Sequence, residues 1–524
     1  MAASLNRRVR AVVAVVFALG LVAGCTPQGP TDPNDPDQTE TDAPVSPDRP
    51  KDVQIPDVQP EGFVDAPGGG IEGYTGQQID WQTCEDYSKF ECATIAAPLD
   101  HEDPDRQALS LFLLKAEATE EPKLGTIFVN PGGPGAGGSE LAARFDREGL
   151  EQYDIIGWDP RGTGQSTPVQ CWQGEEMDAF TEIVGTPDDE EAFQELIEAS
   201  KGFGQSCLEK SGELLMHIST QDTARDLDML REMVGDEKLN YLGYSYGTEL
   251  GATYAEMFPE KAGRMVLDGA VNITDDEDVV QAMGFDRAFT NFAEWCVARD
   301  DCGELGSTPE EVTETTHALL DDLAVNPVPM GERTVTQSIA LTGIVVTLYS
   351  ESTWDYLRQA LIYGKNGDVM MLQMLSDAYN MRHADGTYEP LIHAFPAINC
   401  LDEADEGIDR AVQEWRETSE KAPIFGPYFG ADTVCTTWPV PAVEPLEKIT
   451  AEGADPILVI GVTGDPATPY EFAQSMADQL DSGVLLTLEG EGHGAYGSYD
   501  CIDDVVVDFF VDGTVPEDGM TCQA

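Results

Sequence analysis

The sequence predicts an α/β fold: a mainly parallel sheet flanked by helices, with a helical insertion. Three observations predict it. Short apolar runs recur along the chain, helical-period stretches separate them, and the alternation stops between Ala270 and about Phe395. Strands alternating with helices imply a parallel sheet covered on both faces. At 524 residues the chain exceeds one simple core of usual size, so a large domain with an insertion, or two domains, is expected.

The N-terminus is not fold material. Arg7, Arg8 and Arg10 precede an apolar run, Ala11 to Leu21, that is too short to span a bilayer. "LVAGC" follows at once and resembles the lipobox of bacterial lipoproteins, which makes residues 1–24 a signal peptide and Cys25 the lipidated first residue. Residues 25–72 are rich in proline and acid and poor in large apolar side chains, and they read as an extended, disordered tether. The folded part is expected on the outer face of a cell membrane, held by its lipid or partly released.

The core strands are read from "LSLFLLKA", "GTIFVN", "YDIIGWD", "LNYLGYS", "RMVLDGA", "ILVIGV" and "VLLTLEG", several nearly unbroken in apolar residues, as strands buried on both faces should be. These place the core in residues 73–275 and 396–524. "TARDLDMLREMVG" carries Ala224, Leu227, Leu230 and Val234 on one helical face and stops at Gly235. Residues 276–395 read as a helical cap. There Thr308, Pro309 and Glu311 form an N-cap, a first-turn proline and a capping-box glutamate. Met370, Met371 and Met374 are expected in the core of that cap.

Cysteines agree with export. Of 11, ten remain beside Cys25, an even number that suits an oxidising compartment. The simplest connectivity joins sequence neighbours: Cys84–Cys92, Cys171–Cys207, Cys296–Cys302, Cys400–Cys435 and Cys501–Cys522. No Cys-x-x-Cys or histidine cluster appears, so neither a metal site nor a cofactor is expected. The formal charge of −68, from 97 acidic and 29 basic residues, excludes a nucleic-acid partner, which needs a basic footprint.

The chemistry lies in "GYSYG". Ser245 sits between Gly243 and Gly247 where a strand gives way to a helix, the Gly-x-Ser-x-Gly elbow that holds a hydroxyl out over a sheet. A serine nucleophile needs a base, and the base needs an orienting acid. Only one of the six histidines lies beyond Ile457: His493, in a Gly-flanked loop after the last long strand. Asp465, in "VTGDPATP", ends the preceding strand, and Asp268, at the end of "MVLD", is its rival for the acid. The oxyanion is expected to meet the backbone amide of Tyr246 and that of Gly133, in the loop "NPGGPGAGG". That loop is no phosphate cradle, because neither Lys-Ser/Thr nor a Gly-x-Gly-x-x-Gly helix start follows. In "DPRGTGQS", Arg161 is a candidate buried ion-pair donor.

Together, "NPGGPG", "DPRGTGQS", "GYSYGT" and "GDPATP" resemble the secreted actinobacterial tripeptidyl aminopeptidases, relatives of prolyl aminopeptidase among the α/β-hydrolase serine peptidases. The resemblance runs from about Ile95 to the C-terminus. It implies an α/β-hydrolase fold and release of short peptides from free N-termini of peptides or proteins, with the cap shaping the pocket. The prolyl enzymes begin the glycine loop with histidine where this chain has Asn130, which favours the tripeptidyl branch. Carboxylesterase or lipase activity on acyl esters is the alternative, since the same triad cleaves esters.

Overall fold

A computed structural model describes residues 53–85, 87–186, 189–274, 278–299, 301–403 and 406–524. The signal peptide and Cys25 lie outside the described residues. No helix among the described residues is long and apolar enough to cross a membrane.

Ten strands form the path of an eleven-stranded sheet. In chain order they are β1 (Gln82–Thr83), β2 (Glu91–Pro98), β3 (Ala108–Ala116), β4 (Gly125–Asn130), β5 (Tyr153–Asp159), β6 (Leu239–Tyr244), β7 (Ala262–Asp268), β8 (Ile457–Gly464), β9 (Gly483–Glu491) and β10 (Met520–Gln523). Their spatial order is β10-β9-β8-β7-β6-β4-β5-β3-β2-β1. The strands from β5 to β10 run parallel, while β1, β2 and β3 add an antiparallel edge. β5 is buried throughout and β8 almost so, as expected of strands covered on both faces. Because β4, β6, β7, β8 and β9 are mutually parallel, the loops that follow them all leave the same edge.

Local signals hold in detail. Helix Thr220–Val234 is opened by Ser219, whose side chain accepts from the Asp222 amide, and closed by Gly235 at φ 86°. Thr308 caps helix Pro309–Val325 by accepting from the Glu311 amide, and the Glu311 carboxylate accepts in return from the Ser307 amide, one residue earlier than a standard capping box. The ten described cysteines are paired as five neighbours along the chain: Cys84–Cys92, Cys171–Cys207, Cys296–Cys302, Cys400–Cys435 and Cys501–Cys522.

Three expectations are corrected. The tether does not extend to residue 72. From Val53 onward the chain packs on the core through Val53, Ile55 and Phe63, and Phe63–Val64 pairs antiparallel with Leu109 and Ala108. A few apolar residues within a proline-rich stretch suffice when an open strand edge is available. The cap does not end at 395, because that boundary falls inside helix Leu391–Asp402 and the next core strand starts only at Ile457. Met370 and Met374 are not core: they are 53% and 63% exposed, one turn apart on the outer face of helix Met370–Tyr379, whose Leu372 packs inward.

The roof over the sheet edge is built from two insertions. The larger, between β7 and β8, has its own apolar core around Phe285, Phe289, Phe292, Ile344, Trp354 and Leu357. The smaller carries helices Glu175–Thr181 and Glu190–Ser211, between β5 and β6. They are tied at Asp178, whose carboxylate accepts from Arg382 at 2.6 and 2.8 Å and from the Tyr388 hydroxyl at 2.6 Å.

Arg161 is fully buried and bidentate on Asp226, at 2.7 Å through both Nε and Nη2, with the carbonyls of Pro98, Leu99 and His217 taking its other protons. Removing one partner of such a pair strands the other charge in low dielectric. Asp226→Ala is therefore expected to destabilise the fold by about 3–5 kcal/mol, measured by denaturant unfolding. A loss below about 1 kcal/mol would mean that the three carbonyls alone hold the guanidinium.

Candidate active site

Ser245 has φ 54° and ψ −128°, a conformation side chains rarely adopt, and helix Tyr246–Met257 starts at the next residue. The turn is this tight because its neighbours lack side chains. A Cβ on Gly243 would lie 2.3 Å from the Gly247 carbonyl, and one on Gly247 would lie 2.9 Å from Asn130 Oδ1. The Ser245 amide donates to the Asp268 carbonyl at 2.9 Å, tying the elbow to β7.

His493 follows β9. Its Nδ1 lies 2.9 Å from each oxygen of Asp465, which follows β8 and is fully buried. That carboxylate also accepts from the amides of Ala467 (2.9 Å) and Thr468 (2.8 Å) and from the Thr468 hydroxyl (3.0 Å). His493 Nε2 is buried with no hydrogen-bond partner among the described residues, leaving it able to receive a proton. Burial alone would lower the imidazole pKa, yet the Asp465 carboxylate, with a smaller contribution from Asp268, raises it above the ordinary histidine value.

Asp268 does something different. Its buried carboxylate accepts from the Ala495 amide (3.1 and 2.9 Å) and the Tyr496 amide (2.8 Å), pinning the loop that carries His493. Burial pushes its pKa up to about 6, against those two N–H groups. Of the two acids, the structure brings only Asp465 into hydrogen-bonding contact with the imidazole. The roof reaches the same loop from above. The His493 amide donates to the Tyr349 carbonyl at 3.0 Å, and the Tyr349 ring stands edge-on to the imidazole at 5.4 Å.

Gly133 and Tyr246 both line the cavity of about 300 Å³ into which Ser245 faces. Neither amide donates to another described group. The loop is held by Asn130, whose Oδ1 accepts from the Gly132 amide at 2.8 Å, and by helix Leu391–Asp402, which rests on Gly135. A Cβ there would come within 3.0 Å of Ala394. A free amide at a helix N-terminus and a second on the glycine loop suit a developing oxyanion.

Sequence reasoning missed part of this cavity. Glu249, one turn beyond Ser245, faces it, as do Asp402 and Glu403 at the end of the Leu391–Asp402 helix. Asp402 accepts from the Thr220 amide and hydroxyl, whereas Glu249 has no hydrogen-bond or ion-pair partner among the described residues. The i+4 spacing of Glu249 from Ser245 is a legible signal. Asp402 and Glu403 have none, because they arrive from a segment some 150 residues away in the chain.

Comparison with known proteins places the chain. A family model described as TAP-like protein matches residues 422–522. The chain is 34% identical over 479 residues to the serine protease Hip1 of Mycobacterium tuberculosis, covering 85% of this chain and 91% of that protein. It is 33% identical over 489 residues to a carboxylesterase B of the same species, covering 88% and 94%. It is 29% identical over 470 residues to the tripeptidyl aminopeptidase of Streptomyces lividans, covering 85% and 86%. With that coverage, and with a parallel sheet whose strand-end loops carry a serine elbow, the chain belongs to the tripeptidyl-aminopeptidase-like family of α/β-hydrolase serine peptidases.

Proposed function

We propose that the protein is an aminopeptidase that releases short peptides, of the tripeptidyl kind, from free N-termini through Ser245, His493 and Asp465. The observation that carries this reading is the trio of carboxyl groups, Glu249, Asp402 and Glu403, in the cavity that also holds Ser245. Burial raises all three pKa values, that of Glu249 to about 7. Carboxyl groups whose ionisation is opposed by burial gain most from a cation placed beside them, and the cation every unmodified peptide carries is its α-ammonium.

The reaction follows from the placement of the groups. Ser245 Oγ adds to the scissile carbonyl as its proton passes to His493 Nε2, and the oxyanion is met by the amides of Tyr246 and Gly133. Asp465 holds the imidazole in the tautomer that leaves Nε2 open and stabilises the imidazolium that forms. The imidazolium then protonates the leaving amine as the C–N bond breaks, giving an acyl-enzyme. Water, deprotonated by His493, releases the short peptide and restores Ser245.

A carboxylester hydrolase is the second reading, favoured by the relative named carboxylesterase. Matched reporters decide between them. Free tripeptidyl amides are expected to be turned over with higher kcat/KM than acyl esters lacking an amine, once each is corrected for its uncatalysed rate. The reverse order would assign the protein to ester hydrolysis.

Export and anchoring rest on the N-terminal sequence. Cys25 carries the lipid, and the acidic segment after it spaces the enzyme from the outer face of the membrane. Cys25→Ser is expected to yield an unacylated protein that leaves the membrane fraction with its kcat/KM intact. Mass spectrometry that still finds acyl chains on that variant would rule the anchor out.

A further inference from the structure

We propose that a second cavity beneath the roof, adjoining the Ser245 cavity at Phe395 and Asn399, receives one large uncharged side chain of the peptide to be released. The proposal rests on the peptidase reading above. This cavity is about 370 Å³ and lies between the smaller insertion and the larger one. Its walls are apolar and come from both: Phe180, Leu196 and Phe203 on one side, Leu341, Val345 and Ile392 on the other. Among the described residues its sole charged lining residue is Asp432, whose Oδ1 already accepts from the amides of Val434 and Cys435 at 2.8 and 3.0 Å.

Position connects this cavity to the acyl part of the substrate. Phe395 and Asn399 line both cavities, and both belong to helix Leu391–Asp402. The same helix seats Phe395 against Gly135 of the glycine loop and ends in Asp402 at the carboxyl trio. One element therefore touches the oxyanion loop, the amine receptor and the apolar cavity. A peptide with its ammonium at the trio and its scissile carbonyl at Ser245 runs along this helix, and a side chain turned away from Ser245 meets the cavity.

The chemistry of the walls sets the selectivity. A leucine, methionine or phenylalanine side chain gains roughly tenfold to a hundredfold in binding on full burial, whereas a glutamate would be buried with no counter-charge and a lysine would meet only a carboxylate that two amides already hold. Two polar groups add discrimination within the apolar class. Among the described residues the Tyr379 hydroxyl is buried without a hydrogen-bond partner, and the Asn399 side-chain amide makes none. Both are available to a side chain with a single polar end.

The test uses the full chain and free-amine tripeptidyl reporters carrying Leu, Phe, Ala, Lys or Glu at each position in turn. At one position the wild type is expected to prefer Leu or Phe over Ala roughly tenfold or more, and to reject Lys and Glu. Two variants fill the cavity from opposite walls, Thr342→Phe and Leu196→Trp. Each is expected to cut kcat/KM for the Leu and Phe peptides at that position by roughly tenfold to a hundredfold. The Ala peptides and the rate of Ser245 labelling by a fluorophosphonate should stay within about threefold. Equal losses for Ala and Leu peptides in both variants, no loss in either, or acceptance of Lys and Glu at every position would overturn the proposal. A wild type that hydrolyses esters but no peptide defeats the peptidase reading instead. Peptide cleavage without the side-chain effect defeats this proposal alone.

Discussion

Ser245→Ala abolishes turnover and fluorophosphonate labelling together while leaving the fold intact, and Asp465→Asn lowers kcat by about 10⁴. These are the largest effects expected of any single substitution here. The first follows because the alanine variant has no nucleophile, while its Cβ keeps the strained turn that Gly243 and Gly247 permit. The second follows from the two 2.9 Å contacts between Asp465 and His493 Nδ1. An asparagine that turns its amide toward Nδ1 forces the imidazole proton onto Nε2, where it blocks proton transfer from Ser245.

Asp268→Asn is the control. Its carboxylate holds the backbone of the His493 loop, and an asparagine still offers one acceptor oxygen to Ala495 and Tyr496. The expected loss in kcat is on the order of tenfold, the worth of about one hydrogen bond. If Asp268→Asn were the more damaging of the two, the acid's role would pass to Asp268. Circular dichroism and thermal unfolding of all three variants separate lost chemistry from lost structure.

The three residues proposed as a triad were legible in the sequence because each stands at the end of its own apolar strand, and strand ends in a parallel sheet converge on one edge. The elbow was legible because its two glycines sit where side chains do not fit. Asp268 was ambiguous for a physical reason: it too ends a strand beside the site, and which of two acids meets the imidazole depends on loop geometry. The roof was only partly legible. Its helices announce themselves by apolar period, but period does not say which face meets the core, and Met370 and Met374 occupy the solvent side of theirs. The helices from Glu175 to Ser211 precede the elbow in sequence and carry no mark of belonging to the roof. Their attachment depends on Asp178 meeting Arg382 and Tyr388, over 200 residues away.

The second large effect concerns the N-terminus of the substrate. A free tripeptidyl reporter is expected to exceed its N-acetylated twin in kcat/KM by about 10²-fold or more, because acetylation removes the cation that would pair with Glu249. Glu249 is the group to change, since Asp402 is already engaged by Thr220 whereas Glu249 has no partner among the described residues. Glu249→Gln keeps the shape and removes the charge, so it should bring the free and acetylated substrates to within a few-fold of each other while sparing a small ester that carries no amine. The pH dependence supplies an independent reading. The base must be neutral, and the Asp465 carboxylate raises the His493 pKa above its ordinary value against the effect of burial. Of the proposed amine receptor only Glu249 needs to be ionised, and burial places it at about 7. Both groups must therefore shed a proton before a free peptide is cleaved, so its kcat/KM should fall on the acid side with a slope approaching two on a logarithmic plot. The small ester needs only His493 and should fall with a slope of one, as should both substrates in Glu249→Gln. On the alkaline side the free peptide alone should decline, as its own ammonium, with an ordinary pKa of about 8, loses its charge. Equal kcat/KM for the free and acetylated peptides, with acid limbs of the same slope, would remove the aminopeptidase reading and leave a serine hydrolase indifferent to the N-terminus.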